Sequence, residues 1–336
     1  MTEPLSDAEV ARGRGRAYAL LADLVSRGPT ASTLPPARTS AVLAEALDSY
    51  ADLDDAAADH QHVFGLSVPP FEGVYRDPEG QVGGACTDRL RDRYAALGFA
   101  HDPRGEGVEH LSTQLRALAF LSVAEADARE DDATPQLDAV CDLARDFLDA
   151  HLLLWLPSFA VAARAAGRAL PTAIVDQIMD VVVIHRQGLD VPDDHANYQL
   201  QGEPLDLDDP AVGIREIAAA LAVPARIGAL LTRDDIARVG RGQRVPRGFG
   251  ERRTTIHNLL NSAAGLGSLG GVVDDLRALL SERRHVLDDR RFRTVPGLGD
   301  RVGVVRARLL ATDEVLARLS EATRDGSVTL TEASTE

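Results

Sequence analysis

"VEHLSTQLRALAFLSVAEADA", residues 108–128, decides the fold class. Leu111, Leu115 and Leu118 recur at the spacing of one helical face, so the stretch reads as a long amphipathic helix. Glu109 and His110 stand at its start, where the helix dipole favours an acidic group and polar residues cap the first turn. The same grammar extends upstream. Ser6 and Glu9 form a capping-box pattern and Gly28–Pro29 a stop, which gives a helix over residues 7–27 with Leu20, Leu21 and Leu24 on its apolar face. Pro35–Pro36 marks a loop. Helices are expected over 38–51 and 54–66, and another over 85–98 carries Leu90, Tyr94 and Leu97, with Gly98 as its stop.

Downstream, Thr134 is the expected N-cap and Pro135 the first residue of a helix that reaches Trp155 and breaks at Pro157. Shorter helices follow over 159–166 and 172–186. Strand alternation is not sustained anywhere, so the fold class is all-α. Composition then shifts: residues 188–210, "GLDVPDDHANYQLQGEPLDLDDP", are acidic, poor in apolar residues and punctuated by prolines. They read as a linker. The expected organisation is a helical domain over 1–190, the linker over 191–210, a helical region over 211–326 and a frayed tail over 327–336.

The 336 residues are 45% hydrophobic, enough for one large helical domain or two smaller ones. The formal net charge is −16 and every basic residue is Arg, a balance that disfavours wholesale nucleic-acid binding. Cys86 and Cys141 lie in no CxxC pair and near no histidine cluster, so no zinc or iron–sulfur site is readable and reduced thiols are expected. The apolar run near the N-terminus is broken by Asp23. No signal peptide or membrane span is expected there, which points to the cytoplasm.

Several stretches invite chemistry. Asp59, His60 and His62 suggest a metal site, but His60 and His62 at i and i+2 point to different sides of a helix. His101–Asp102 resembles a fragment of a metal-hydrolase signature set in a Pro/Gly loop. A Walker loop and GxSxG are absent from the sequence. Gly265–Gly271, "GLGSLGG", reads as a helix–helix connection. Arg238–Arg253, "RVGRGQRVPRGFGERR", is a basic run suited to a phosphate or an acidic partner, with pairing to nearby Asp and Glu as the plainer expectation. His151 and Trp155 share a helical face. Finally, Ser67–Gly84, "SVPPFEGVYRDPEGQVGG", is an aromatic strip between helices. Its prolines hold it extended and Gly83–Gly84 release it, leaving Phe71 and Tyr75 to pack inward and Glu72 available.

Taken in order, these segments resemble the TorD/DmsD/NarJ family of redox-enzyme maturation chaperones, over roughly residues 10–190. "DHQHVFGL" is similar to its acidic–aromatic–x–x–Leu–Phe motif and "PPFEGVYRDPEGQVGG" to its Pro–x–Glu–Ser–Val–Tyr segment. "GVEHLSTQL" resembles Pro–Asp–His–Leu–x–x–Glu–Leu, and "FLDAHLLLWLPSF" resembles His–Leu–x–x–Trp–x–Pro. This chain departs from the pattern at His60 (for an aromatic), Gly73 (for Ser), Glu109 (for Asp) and Gln114 (for Glu). Its C-terminal part is also longer than in the compact members.

The resemblance implies a TorD-like helical bundle with an added helical C-terminal region, and a chaperone rather than an enzyme. Its client would be an apo molybdopterin oxidoreductase of the dimethyl-sulfoxide-reductase type, bound in some members through a twin-arginine leader. No cofactor would be held tightly. The molybdenum cofactor would be handled through the client, and guanine nucleotide has no supporting motif. Nucleic-acid binding and membrane insertion are not implied, and the chain would be a monomer or homodimer. The implied client or leader contacts are Asp59, Phe71, Glu72, Tyr75, Glu109, His110, His151 and Trp155, with Glu72 and Glu109 supplying charge and Phe71, Tyr75 and Trp155 an apolar wall. The competing readings are an all-α metal-dependent hydrolase using His60, His62, His101, His110 or His151, and a helical adaptor acting through Arg238–Arg253.

Overall fold

The computed structural model describes residues 5–190, 200, 202–207, 212–295 and 298–324. Among them the regular elements are helices; one isolated bridge joins Phe71 to His110. The chain is all-α. It forms two compact units: Met1–Gly73 with Val82–Asn197 and Arg290–Gly299, and Val74–Gln81 with Tyr198–Asp289 and Asp300–Glu336. The linker expected over 191–210 falls largely outside the described residues, and the tail over 327–336 wholly so.

In the first unit, α1 (Asp7–Arg27) begins at a complete capping box between Ser6 and Glu9 and ends at Gly28, whose φ of +68° suits glycine. Short helices α2 (Leu34–Ala37), α3 (Ala41–Asp48) and α4 (Leu53–His60) follow, then a π-helical turn over Gln61–Ser67 and the one-turn α5 (Glu72–Arg76). Next come α6 (Gly84–Leu97), α7 (Leu111–Glu130), α8 (Thr134–Phe147), a second π-turn over Leu148–Leu152, α9 (Leu153–Ala165) and α10 (Ala169–Gln187).

Helices α1 and α7 pack antiparallel. Arg12 reaches Asp127 at 2.9 Å at one end, and Arg116 reaches Asp23 at 2.7 Å at the other. The approach is close enough that a Cβ on Gly15 would stand 3.3 Å from the Ala119 carbonyl. Leu21 and Leu24 are buried, as are Leu111, Leu115 and Leu118, so the stripe that defined the fold class lies in the core. Helix α10 lies against α1, α3 and α9. Its His185 Nδ1 meets the Tyr18 hydroxyl at 3.0 Å, which satisfies two buried polar atoms at once.

Three helix boundaries differ from expectation. Pro35 and Pro36 sit in the first turn of α2, where missing N–H groups cost nothing. Pro157 does not break its helix but lies inside α9. The irregularity is instead a π-turn upstream, over Leu148–Leu152. Thr134 is the first helical residue rather than the N-cap, which is Ala133. The run Thr134–Ala165 is long and apolar enough by composition to cross a bilayer, but 72% of its most apolar window is buried inside the protein, as in a core helix.

In the second unit, α11 (Ile214–Leu221), α12 (Pro224–Ile227), α13 (Arg233–Gly242), α14 (Arg252–Gly265), α15 (Leu269–Val286) and α16 (Leu298–Arg324) are joined by short connections. The "GLGSLGG" stretch links α14 to α15 as expected. Helices α13, α14 and α15 pack on one another, and α11 packs on α14. Asp235 caps α13 reciprocally with Thr232 and also pairs with Arg283 at 2.7 Å, both groups buried. Hydrogen bonding to Thr232 meets the remaining acceptor capacity of that carboxylate, as an interior ion pair requires.

Candidate functional site

The aromatic strip and the start of α7 converge in the first unit. Phe71 bridges to His110, and the backbones bond in both directions: the Glu72 N–H donates to the Glu109 carbonyl at 3.2 Å, and the Leu111 N–H to the Pro70 carbonyl at 2.8 Å. The strip is therefore pinned to the α7 N-terminus by its main chain. The Phe71 ring meets the His110 imidazole edge-on at 4.9 Å.

Glu109 is fully buried. One carboxylate oxygen accepts the Gly73 N–H at 2.9 Å; the other accepts the Gly83 N–H at 2.8 Å and the Thr87 hydroxyl. Gly83 is the N-cap of α6 and Gly73 lies in the first turn of α5, so a single carboxylate satisfies orphan donors at two helix starts. Gly73 stands where the family pattern has Ser, and it is the N–H, which any residue but proline supplies, that makes the bond.

Glu72, also fully buried, accepts from Gln114 Nε2 at 2.9 Å, and its other oxygen lies 3.3 Å from His151 Nδ1. Gln114 in turn accepts from Trp155 Nε1 at 3.4 Å. The chain Trp155–Gln114–Glu72–His151 ties α7 to α9 and to the π-turn before it. It also explains Gln114 in place of the family's Glu: an amide both donates to Glu72 and accepts from Trp155, which an ionised carboxylate cannot do. Tyr94 stands beside this cluster, its hydroxyl on the Val108 carbonyl at 3.0 Å and its ring 5.8 Å from Phe147. Burial pushes its phenol well up from the usual range, and Glu72, Cys86 and Glu109 push the same way.

These positions correct the expectation that Glu72 and Glu109 offer charge to a client and that Tyr75 and Trp155 line an apolar wall. Both carboxylates are spent on internal donors, and Trp155 is wholly enclosed, with Phe159 at 5.6 Å. His110 and His151 are buried as well, and Phe71 is half-buried. Tyr75 is buried within the second unit, where burial raises its phenol and Arg252 partly offsets the rise. Asp59 is not part of the cluster: its carboxylate accepts the Tyr50 hydroxyl at 3.0 Å and pairs with Arg168 at 3.2 Å. Sequence reasoning also missed Thr87 and the Gly83 N–H. Neither carries a local signal, because both act only through tertiary placement.

The histidines do not gather. His60 Nε2 meets the Val25 carbonyl at 3.1 Å and His101 Nε2 the Glu106 carbonyl at 2.8 Å. Among the described residues no group of three His, Cys, Asp or Glu side chains is placed to hold a metal ion.

An open cleft flanks the cluster, with a cavity of about 500 Å³ lined by Asp23, Phe99, His101, Asp102, Glu106 and Arg116 among others. One wall is the loop from Phe99 to Glu109. It is pinned by His101 on the Glu106 carbonyl, by Thr113 Oγ1 donating to the Gly107 carbonyl at 3.0 Å, and by the Tyr94–Val108 bond. The buried network thus fixes the wall of a surface that a partner can reach.

Residues 33–161, which include the strip, the cluster and the cleft loop, match the family model described as the nitrate reductase delta subunit. That segment is similar to the TorD/NarJ family. Within the family, the chain is similar to proteins named chaperone protein TorD from strains of Vibrio cholerae serotype O1. Two are 33% identical and a third 32% identical over 127 residues, covering 35% of this chain and 56% of each relative. The chain thus spans about half the length of the curated relatives it matches. The second unit beyond Tyr198 lies outside the TorD/NarJ match.

His110 makes the TorD-like unit sensitive to acid. It is the N-cap of α7, and its Nδ1 accepts the Ser112 N–H at 3.2 Å, which requires the neutral ring. Burial, helped by Arg116, lowers its pKa to about 4. As pH falls below the ordinary value of about 6.5, the unfolded chain takes up a proton that the folded chain refuses. Stability is therefore full above that value and is lost as pH falls toward about 4, by an amount on the order of 3 kcal/mol. His110→Asn keeps a capping acceptor but cannot titrate. Urea unfolding between pH 7 and 4.5 should show a shallower loss of stability for this variant than for the native chain. Equal slopes would assign the acid sensitivity elsewhere.

Proposed function

We propose that the protein is a maturation chaperone for a molybdoenzyme and not a catalyst. It binds the apo catalytic subunit, of the dimethyl-sulfoxide-reductase type, in the cytoplasm, holds it open for molybdenum-cofactor insertion and releases it once loaded. The reading rests on one observation above others: the TorD/NarJ match covers the segment that builds the buried carboxylate cluster and the Phe99–Glu109 wall of the adjoining cleft.

In this reading the cluster positions and the cleft binds. Asp23, Asp102 and Glu106 line the cleft beside Phe99 together with Arg27, Arg104 and Arg116, and Asp102 and Asp23 meet Arg104 and Arg116 there. A cationic segment followed by apolar residues, including a twin-arginine leader, would take the place of these arginine partners. Glu72 and Glu109 act behind it by keeping the strip and the Phe99–Glu109 loop in place. The cofactor reaches the client without a dedicated site on this chain.

Co-expression of the full chain with a molybdopterin oxidoreductase subunit from the same organism tests the proposal. A complex with the subunit from molybdenum-cofactor-deficient cells, lost with Asp102→Arg/Glu106→Arg, is the expected result. Absence of any complex with the apo subunit would refute it.

A further inference from the structure

We propose that the connection between α13 and α14 in the second unit is an interaction surface for a protein partner that presents carboxylates around an apolar pocket. The observation is Phe249, 94% exposed at the tip of a basic loop. A single exposed apolar side chain is ordinary, but Phe249 is the most exposed of the large hydrophobic side chains among the described residues and it sits within an arginine-rich run. The backbone holds it there. Gly248 and Gly250 on either side have φ of +64° and +133°, values that other residues rarely adopt, and a Cβ on Gly248 would stand 2.6 Å from Asn258 Nδ2.

The same run carries Arg241, Arg244, Arg247 and Arg253. Pairing with nearby acids was the plainer expectation for this run, and Arg238 meets it, 3.0 Å from Glu282. The other four form no ion pair among the described residues, and all but the half-buried Arg247 are exposed. Arg244 is held at φ +55°, a strained conformation at the end of α13 where glycine would cost nothing. An aromatic tip among unpaired guanidinium groups is the composition of an interface anchor, since exposed aromatics and arginines supply most hot spots.

The charge of the rest of the chain selects the partner. The run Arg238–Arg253 holds six arginines and one glutamate within a chain of net charge −16. A nucleic acid or an anionic bilayer is an extended polyanion and would also face the acidic body. Screening over roughly 8 Å lets a compact acidic patch on a protein feel the loop alone. Binding of a nucleic-acid strand also draws on successive stacking platforms, and this loop has a single ring.

The test uses the full chain with a fluorescent synthetic peptide carrying Glu and Asp around a central Leu–Trp pair, and a second peptide with Gln and Asn in their place. Oligothymidylate and phosphatidylglycerol vesicles are run in parallel. The acidic peptide should bind in low salt and the amide peptide should not. Phe249→Ala should weaken binding about tenfold and Arg247→Glu/Arg253→Glu by more. At Arg253 an acidic residue is favoured in the first turn of α14, and Arg247 lies in the connection before it; circular dichroism verifies that the charge variants keep the fold. The proposal is overturned if the acidic peptide fails to bind, if it binds the variants as well as the native chain, or if oligothymidylate or vesicles bind through the same residues more tightly.

Discussion

Glu109→Ala should destabilise the first unit by roughly 3–5 kcal/mol, one of the two largest effects expected from a single substitution. The variant leaves the Gly73 N–H, the Gly83 N–H and the Thr87 hydroxyl without an acceptor in a site closed to water. Each unsatisfied buried donor costs roughly 1–3 kcal/mol. Relaxation of the glycine-rich loop toward solvent recovers part of that sum. Glu109→Gln should cost less, because one amide oxygen still accepts, although its NH₂ group then faces a donor. Denaturant unfolding followed by tryptophan fluorescence gives the comparison, since the sole Trp of the chain, Trp155, reports on this unit. A cost below 1 kcal/mol for Glu109→Ala would mean that the carboxylate is not the common acceptor of two helix starts.

Trp155→Ala is expected to cost about as much, 3–5 kcal/mol, by a different route. Here the loss is volume: the indole is enclosed between α7 and α9 beside Phe159, and its removal leaves a cavity the helices cannot close. Trp155→Phe separates ring from hydrogen bond. It keeps most of the packing and drops only the 3.4 Å bond to Gln114, so it should cost about 1 kcal/mol. Unfolding of this pair is followed by circular dichroism at 222 nm. The functional consequence distinguishes an interior role from a contact role. Under conditions where Trp155→Phe and Glu109→Gln remain folded, client affinity should stay within a factor of about two of the native chain. A selective loss of affinity by folded variants would return these residues to the client interface.

The helical frame was legible because it rests on local rules. Ser6, Glu9 and Gly28 mark the ends of α1, and the leucine stripe of α7 is its core face. Gly98 takes the left-handed conformation expected of a helix stop. Pro157 was misread because a proline normally ends or kinks a helix, whereas here the apolar packing of α9 carries the helix through it. The residues of the buried cluster were singled out through resemblance, but their interior placement was not. An acidic residue between Pro and Gly is normally solvated. What puts Glu72 and Glu109 inside is the meeting of α5, α6, α7 and the π-turn, a convergence of segments more than 30 residues apart in sequence for Glu72 and His151 and for Gly73 and Glu109. The basic run was equally ambiguous. Only the geometry separates the paired Arg238 from its unpaired neighbours and lifts Phe249 clear of the surface.

The central claim is that this chain recognises an unfinished molybdoenzyme through the cleft its buried carboxylates support. Isothermal titration of the full chain against one catalytic subunit, purified once without and once with its molybdenum cofactor, tests it most directly. The account predicts binding to the apo subunit at least about tenfold tighter than to the loaded one, abolished by Asp102→Arg/Glu106→Arg and retained by Glu109→Gln. Equal affinity for the two forms, or apo binding untouched by the cleft variant, would contradict it.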